Sequence, residues 1–558
     1  MRSIARLLAC AVSIASVPLL AQPAPTDAAQ SMVEAKAPPK LLIAISVDQF
    51  SADLFNEYRP HFTGGLRRLQ MGAVFPNAYH SHAATETCPG HSTLLTGNRP
   101  GHTGIVANEW IDQSVAREDK VIYCSEDPSV SGSSSRSYTT SNMNLRVPAM
   151  GEYMKAANPA AKVISVAGKD RAAIMMGGKT PDQIWWWGGD GFVSYKGTVP
   201  TPLIERVNSG IRVTLNQDRP AMELPELCEA VDRAVPVSDT MNVGDGRFAR
   251  KAGDQRAFRT SPEADAAVLA LAATYVDEEK LGTGPATDLL IVGLSATDYV
   301  GHSYGGRGTE MCLQLLSLDQ GLGAFFERLD NAGLDYMVTL TADHGGLDIP
   351  ERLRAQAAWD AERVDTALYP AKVSEAITAK TGIVGNLILG TNPFGDMYVN
   401  STLKPAERAR VLAEAQKFYK EHKQVAAVFT KAEIAATPAP SGPPESWSLL
   451  TMAKASFDPE RSGDLVVLLK PRIMPISHGV KGYVATHGSP WDYDRRVPLL
   501  FWRKDMTRME QPRGVETVDI LPTLAAQIGL TLPMDKIDGR CLDLNPSETS
   551  SCPAPQDR

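Results

Sequence analysis

Four short apolar runs, each breaking off at or a few residues before a charged side chain, constrain this chain more than any other feature. They are LLIAISV before Asp48, VISVAG before Lys169, DLLIVGLS before Asp298, and YMVTLTA before Asp343. Unbroken runs of this length suit strands buried on both faces of a parallel sheet, and VPLLFW at 497 to 502 reads as a fifth. Helical patterns lie between them, including EADAAVLALAATYVDEE at 263 to 279. Leu315, Leu318, Leu322, Phe325 and Leu329 repeat at helical spacing as a core-facing stripe. Strands alternating with helices predict an α/β fold, a three-layer α/β/α sandwich with a mostly parallel central sheet. The C-terminal ends of such strands form the edge where ligands bind, and the charged residues fall there.

A chain of 558 residues can bury a large core. Residues 40 to 530 read as one domain, with inserted cap regions around 172–260 and 345–480 where the strand–helix rhythm fails, and 531–558 as a C-terminal tail. ETVDILPTLAAQIGL at 516 to 530 reads as a last helix against the sheet, with Asp519 at a helix start or on the surface. The formal net charge of −8 and the lack of a long basic stripe give no reason to expect a nucleic-acid partner, so any anionic substrate must be held by local charge. Residues 1–30, with Arg2 and Arg6 ahead of an apolar stretch and small residues from Ala21 to Ala29, read as a signal peptide and the start of a polar linker. This places the chain in the periplasm, and no other stretch is apolar and long enough to span a bilayer. Too little apolar sequence precedes Cys10 for a lipoprotein signal. In an oxidising compartment Cys541 and Cys552 are expected to pair; Cys88 reads as a half-cystine, and the other pairings stay open.

Thr87 opens TCPGHSTLLTG, a helix start where free backbone N–H groups favour an anion. Its position also suits an N-cap. A threonine hydroxyl needs a base or a metal to act as nucleophile. Asp298 and His302, four apart in DYVGH, can hold a metal together with His487 of ATHGSP. Asp343 and His344 of TADHGG, with Asp48 and the Thr87 oxygen, can complete a second site. Nitrogen and oxygen donors suit zinc, with manganese or another divalent ion as the alternative. Lys169 and Arg171, in a GKDR loop, can reach an anionic group, and Asn108 of GIVANEW can donate to a phosphoryl oxygen.

In this order, TETCPGHSTLLTG, GIVANEW, GKDR, DYVGH, TADHGG and ATHGSP resemble the alkaline phosphatase superfamily. The resemblance is to the bacterial periplasmic alkaline phosphatases with a threonine nucleophile, and it runs from about residue 40 to residue 530. It implies a catalytic domain that hydrolyses phosphate monoesters through a phosphothreonine intermediate at a two-zinc centre (two Zn2+ ions). Asp298, His302 and His487 would bind one ion. Asp48, Asp343 and His344 would bind the other, with Thr87 reaching it. Asn108, Lys169 and Arg171 would hold the phosphoryl oxygens. Phosphodiesterases and nucleotide pyrophosphatases of the same superfamily typically lack the Lys-x-Arg pair, so Lys169 and Arg171 favour monoesters. The two other readings are such a diesterase and a zinc-containing phosphoryl-binding protein without catalysis. Oligomeric state is left open.

Overall fold

Leu41–Val47 (β1) is buried at every position and lies in the middle of a ten-stranded sheet. The computed structural model describes residues 37–547 and 549–553, so the expected signal peptide lies outside the described residues. The other strands are Ala73–Tyr79 (β2), Val163–Ala167 (β3), Gln183–Trp187 (β4), Phe192–Val193 (β5), Asp288–Leu294 (β6), Tyr336–Thr341 (β7), Arg496–Arg503 (β8), Met509–Glu510 (β9) and Val515–Glu516 (β10). Their order is β9-β2-β8-β7-β1-β6-β3-β4-β5, with β10 also paired to β2. The β7-β1-β6-β3-β4 centre is parallel. Helices flank the sheet, which makes the expected α/β/α sandwich with inserted cap elements.

Register fixes the site. Val47 pairs with Leu294, Ser46 with Thr341, and Gly293 with Ala167. Asp48, Lys169, Asp298 and Asp343 therefore leave four neighbouring strands at one edge. The helix Thr309–Asn331 buries Leu315, Leu318, Leu322, Phe325 and Leu329, as their spacing requires. Each such leucine contributes roughly 2 kcal/mol by leaving water.

The run at 497 to 502 departs from expectation, because β8 is antiparallel to both β7 and β2. The strand β2 was not legible in the sequence at all, since Pro76 interrupts its pattern. The register of β2 and β8 shifts between Val497 and Leu499, where Pro76 and Pro498 have no N–H to donate. Within the stretch 172–260, expected as a cap, the Trp185 to Trp187 cluster instead forms β4 and joins the central sheet with β5. Farther along, Cys228 is disulfide-bonded to Cys312 of the helix Thr309–Asn331.

The stretch 345–480 builds an antiparallel sheet of Ile388–Leu389, Gly395–Val399, Leu465–Leu469 and Val425–Thr430. With the helices Pro370–Thr381 and Pro405–Glu421 it encloses an apolar cluster of its own around Val373, Met397, Val411 and Val467. Cys541 and Cys552 form the expected disulfide. The last helix is Ile520–Gln527. Asp519 precedes it but is buried rather than exposed, and it accepts the backbone N–H groups of Glu516 and Arg540.

A second buried carboxylate braces the edge of the sheet. Asp265 in the helix Pro262–Glu278 accepts the N–H of Ala296 at 2.9 Å, where the helix carrying Asp298 and His302 begins, and the Nε2–H of Gln314 at 2.9 Å. Burial pushes its carboxyl up from 3.8 to about 6. A raised folded-state value means stability that is fully present below 3.8 and lost as pH rises through about 6. The Oε1 of Gln314 is buried without a hydrogen-bond partner, so Asp265→Asn lets that amide turn and accept from the new side chain. The variant is expected to lose less melting temperature than the wild type between about pH 4 and about pH 7. Parallel pH profiles in differential scanning calorimetry would refute this.

Candidate active site

Thr87 is the first residue of the helix Thr87–Leu94, in which every residue is buried. The N-cap is Glu86 rather than Thr87, which frees the threonine hydroxyl from capping duty. Gly90 lets this helix approach the sheet edge, because a Cβ there would stand 1.9 Å from the carbonyl oxygen of Asp343. The disulfide Cys88–Cys124 ties the same turn to the segment after Val121–Tyr123, so Cys88 is the expected half-cystine. Asn108 accepts the N–H of Cys88 on Oδ1 at 2.7 Å, and its own N–H donates to Glu86 Oε2 at 2.7 Å. The amide nitrogen of Asn108 is thereby the end available as a donor.

Asp48, Asp298, Asp343, His344 and His487 are buried together, with His302 at their margin. Asp298, His344 and His487 bring ligand atoms within 4.8 Å of one another, and so do Asp48, Asp343 and His344. His344 reaches both groups, although the sequence assigned it to the second alone. His302 stands outside the tight groups, with Nε2 3.2 Å from Asp298 Oδ1. The Thr87 Oγ1 lies 3.5 Å from His344 Nε2.

The imidazoles are oriented alike. His302 Nδ1 faces the Ala485 carbonyl at 2.7 Å, His344 Nδ1 the Gly345 carbonyl at 2.8 Å, and His487 Nδ1 the Thr85 carbonyl at 2.9 Å. A carbonyl only accepts, so each Nδ1 carries the proton and each Nε2 keeps its lone pair. The Nε2 atoms of all three point at the carboxylates, within 3.2 to 3.5 Å. Backbone-oriented histidines with free Nε2 lone pairs, beside carboxylates, form the donor set of a divalent cation site.

Charge argues the same way. Burial raises the Asp48 carboxyl well above its ordinary value, and Asp298 and Asp343 raise it further. Burial also opposes ionisation of Asp298 and Asp343. His302 and Lys169 overcome this at Asp298, and His344 and His91 do so at Asp343, holding both well below the usual range. Oδ1 of Asp48 and Oδ1 of Asp298 are buried without a protein hydrogen bond. Lys169 Nζ stands at ion-pair distance, 2.7 Å from Asp48 Oδ2 and 2.5 Å from Asp298 Oδ2. One ammonium cannot neutralise three carboxylates, and bound cations are the remedy.

Lys169 and Arg171 are not in a free loop. Lys169 holds the N-cap position of the helix Asp170–Gly177, and Arg171 lies in its first turn. Arg171 Nη1 donates to Tyr123 Oη at 3.3 Å, and its Nε is buried without a partner. Sequence reasoning missed His91. It sits one helical turn after Thr87, and its Nδ1 lies 2.9 Å from the Thr87 carbonyl and 3.0 Å from Asp343 Oδ2. The i, i+4 spacing from Thr87 was the available signal.

The chain matches the family described as type I phosphodiesterase / nucleotide pyrophosphatase over residues 42–490. Alkaline phosphatase PhoK of Sphingomonas sp is 59% identical over 522 residues, 93% of each chain. The chain belongs to the alkaline phosphatase superfamily. Alkaline phosphatase PhoD of Zymomonas mobilis is 49% identical, over 92% of this chain and 89% of that one. The fold is shared with the crystal structure of wild-type alkaline phosphatase PafA, at TM-score 0.78 and 23% identity, over 91% of this chain and 99% of that one.

Because His344 reaches both donor groups, His344→Ala is expected to lower bound metal at both positions, and His302→Ala at one. Elemental analysis of the purified variants measures this. Equal metal content in the two variants would contradict the shared-ligand geometry.

Proposed function

We propose that this protein is an alkaline phosphatase that hydrolyses phosphate monoesters through a phosphothreonine at Thr87, with two zinc ions as cofactors. The observation that carries the reading is the Thr87 hydroxyl 3.5 Å from an imidazole that belongs to both carboxylate–histidine groups. Similarity to two proteins named alkaline phosphatases supports it. In this reading Asp298, His302 and His487 hold one ion, and Asp48, Asp343, His344 and Thr87 the other, with the His344 imidazole also bordering the first through Asp298 and His487. When bound, the ions supply Lewis-acid charge that favours the threonine alkoxide and offsets charge on the departing oxygen.

The chain's own residues do the rest. The helix start presents Thr87 Oγ1 toward the phosphorus with the positive end of the helix dipole behind it. The Thr87 hydroxyl releases its proton to solvent, Oγ1 attacks phosphorus as the bond to the leaving alcohol breaks, and the alcohol departs with the bonding electrons and takes up a proton from solvent. Water then attacks the phosphothreonine in line, which releases inorganic phosphate and restores the hydroxyl. Lys169, Arg171 and the amide nitrogen of Asn108 hold the nonbridging oxygens, which carry two charges in a monoester and one in a diester. The region 345–480 acts as a cap on the substrate side, since Phe394 lies against Gly488 beside His487. Three disulfides support an extracytoplasmic location, and the leader pattern narrows it to the periplasm. Among the described residues no helix is long and apolar enough to cross a membrane.

The diesterase reading draws on the description of the matching family. Turnover of a phosphate monoester and its methyl diester by one preparation separates the two, and a preference for the diester would overturn the phosphatase reading. Lys169→Ala with Arg171→Ala is expected to cut monoester kcat/KM at least tenfold more than diester kcat/KM, about 1.4 kcal/mol of selective transition-state stabilisation. Thr87→Ala is expected to trap no phosphate on the protein after acid quench with a radiolabelled monoester. Label retained by this variant would place the nucleophile elsewhere.

A further inference from the structure

A cavity of about 690 Å³ opens beside His302. Its wall carries Arg256, Arg259, Tyr299, Tyr483 and the Gly188–Gly189 backbone, and among the described residues no acidic side chain lines it. This is a local excess of positive charge on a chain of net charge −8. Among the described residues neither arginine forms an ion pair with a carboxylate. The nearest acid along the chain, Asp254, uses its carboxylate to accept the N–H of Ala257 at 2.9 Å.

The two arginines differ in freedom. Arg256 donates to the Lys481 carbonyl and is locked against the backbone of Gly482, where a Cβ would overlap its guanidinium. It thereby fixes the turn that presents Tyr483, whose ring lies 5.2 Å from that of His302. Arg259 is exposed and rests its guanidinium 4.6 Å from the centre of the Tyr299 ring. Lys169 Nζ stands 5.0 Å from the centre of the same ring. Tyr299 follows Asp298 in the helix Ala296–Tyr304, so a single aromatic side chain separates the phosphoryl-holding ammonium from a guanidinium with no carboxylate partner. A planar guanidinium presents paired N–H donors suited to carboxylate or phosphate oxygens.

We propose that this cavity is a leaving-group subsite that selects monoesters whose alcohol carries a second anionic group, phosphoryl or carboxylate, with Arg259 as the recognising side chain. The proposal rests on the phosphatase reading and on His302 serving the ion at the leaving oxygen. The departing alcohol then projects past His302 into the cavity. Tyr299 and Tyr483 flank its carbon skeleton, and its distal anion meets Arg259.

Six-carbon esters test it, because the arginine lies one ring beyond Lys169. Glucose 6-phosphate has no second charge, 6-phosphogluconate has a distal carboxylate, and fructose 1,6-bisphosphate has a distal phosphoryl group. In the wild type, kcat/KM is expected to be higher for one or both substrates with an anionic tail than for glucose 6-phosphate, and the arm that gains identifies the second group. Arg259→Ala is expected to lower that ratio about tenfold, chiefly through KM, and Arg259→Lys to recover part of it. Raising the salt concentration should lower the wild-type ratio as well. A ratio that Arg259→Ala leaves unchanged, with all three esters hydrolysed, overturns the subsite alone. Hydrolysis of none of the esters, with 4-nitrophenyl phosphate also untouched, overturns the phosphatase reading and the subsite with it.

Discussion

Three carboxylates buried at one sheet edge, Asp48, Asp298 and Asp343, are the constraint around which the rest of the molecule is arranged. Isolated charges of like sign in a water-poor interior repel one another and lose hydration, so the fold must supply cations or protons. Lys169 supplies part of that need. The remainder is uncompensated negative charge at the two candidate cation sites.

That arrangement works only if the donors are held still. Each ligand histidine is tethered through Nδ1 to a backbone carbonyl, and these carbonyls belong to segments far apart in sequence. Gly90 lets the nucleophile's helix rest on the backbone of Asp343, and His91 links the same helix to the Asp343 carboxylate. Displacement of Thr87 would thus disturb a metal ligand as well. Asp265 and Gln314 brace the start of the helix that carries Asp298 and His302, and they spend a buried charge to do so.

Around this rigid centre the substrate-facing surfaces come from less regular chain. The cap's Phe394 reaches Gly488 beside one ligand, and the Arg256–Arg259 segment lines the approach to another. Such a division lets the reaction centre stay fixed while the walls set which alcohols can leave. The negative charge of the chain as a whole makes the few uncompensated arginines near the centre more selective, because anions gain little from the remaining surface.

Much of this was legible in the sequence, and the reason is local. A strand buried on both faces must be apolar throughout, so β1, β3, β6 and β7 announced themselves, and the charged residues at their ends were visible where each run stopped. Strands that break the pattern were not legible: β2 contains Pro76, and β8 has the apolar content of a parallel strand while running the other way. Direction and register depend on partners distant in the chain, and no single segment records them.

The same boundary runs through the site. Residue types and spacing, together with the family resemblance, offered Thr87, Asn108, Lys169, Arg171 and the candidate metal-ligating acids and histidines, because nucleophile and metal chemistry admit few side chains. Only tertiary structure decided that His344 reaches both donor groups, that His91 joins the nucleophile's helix to Asp343, that Lys169 lies between Asp48 and Asp298, and that Arg259 shares the ring of Tyr299 with it. Those are distances between residues brought together by folding, and chain order sets no limit on them.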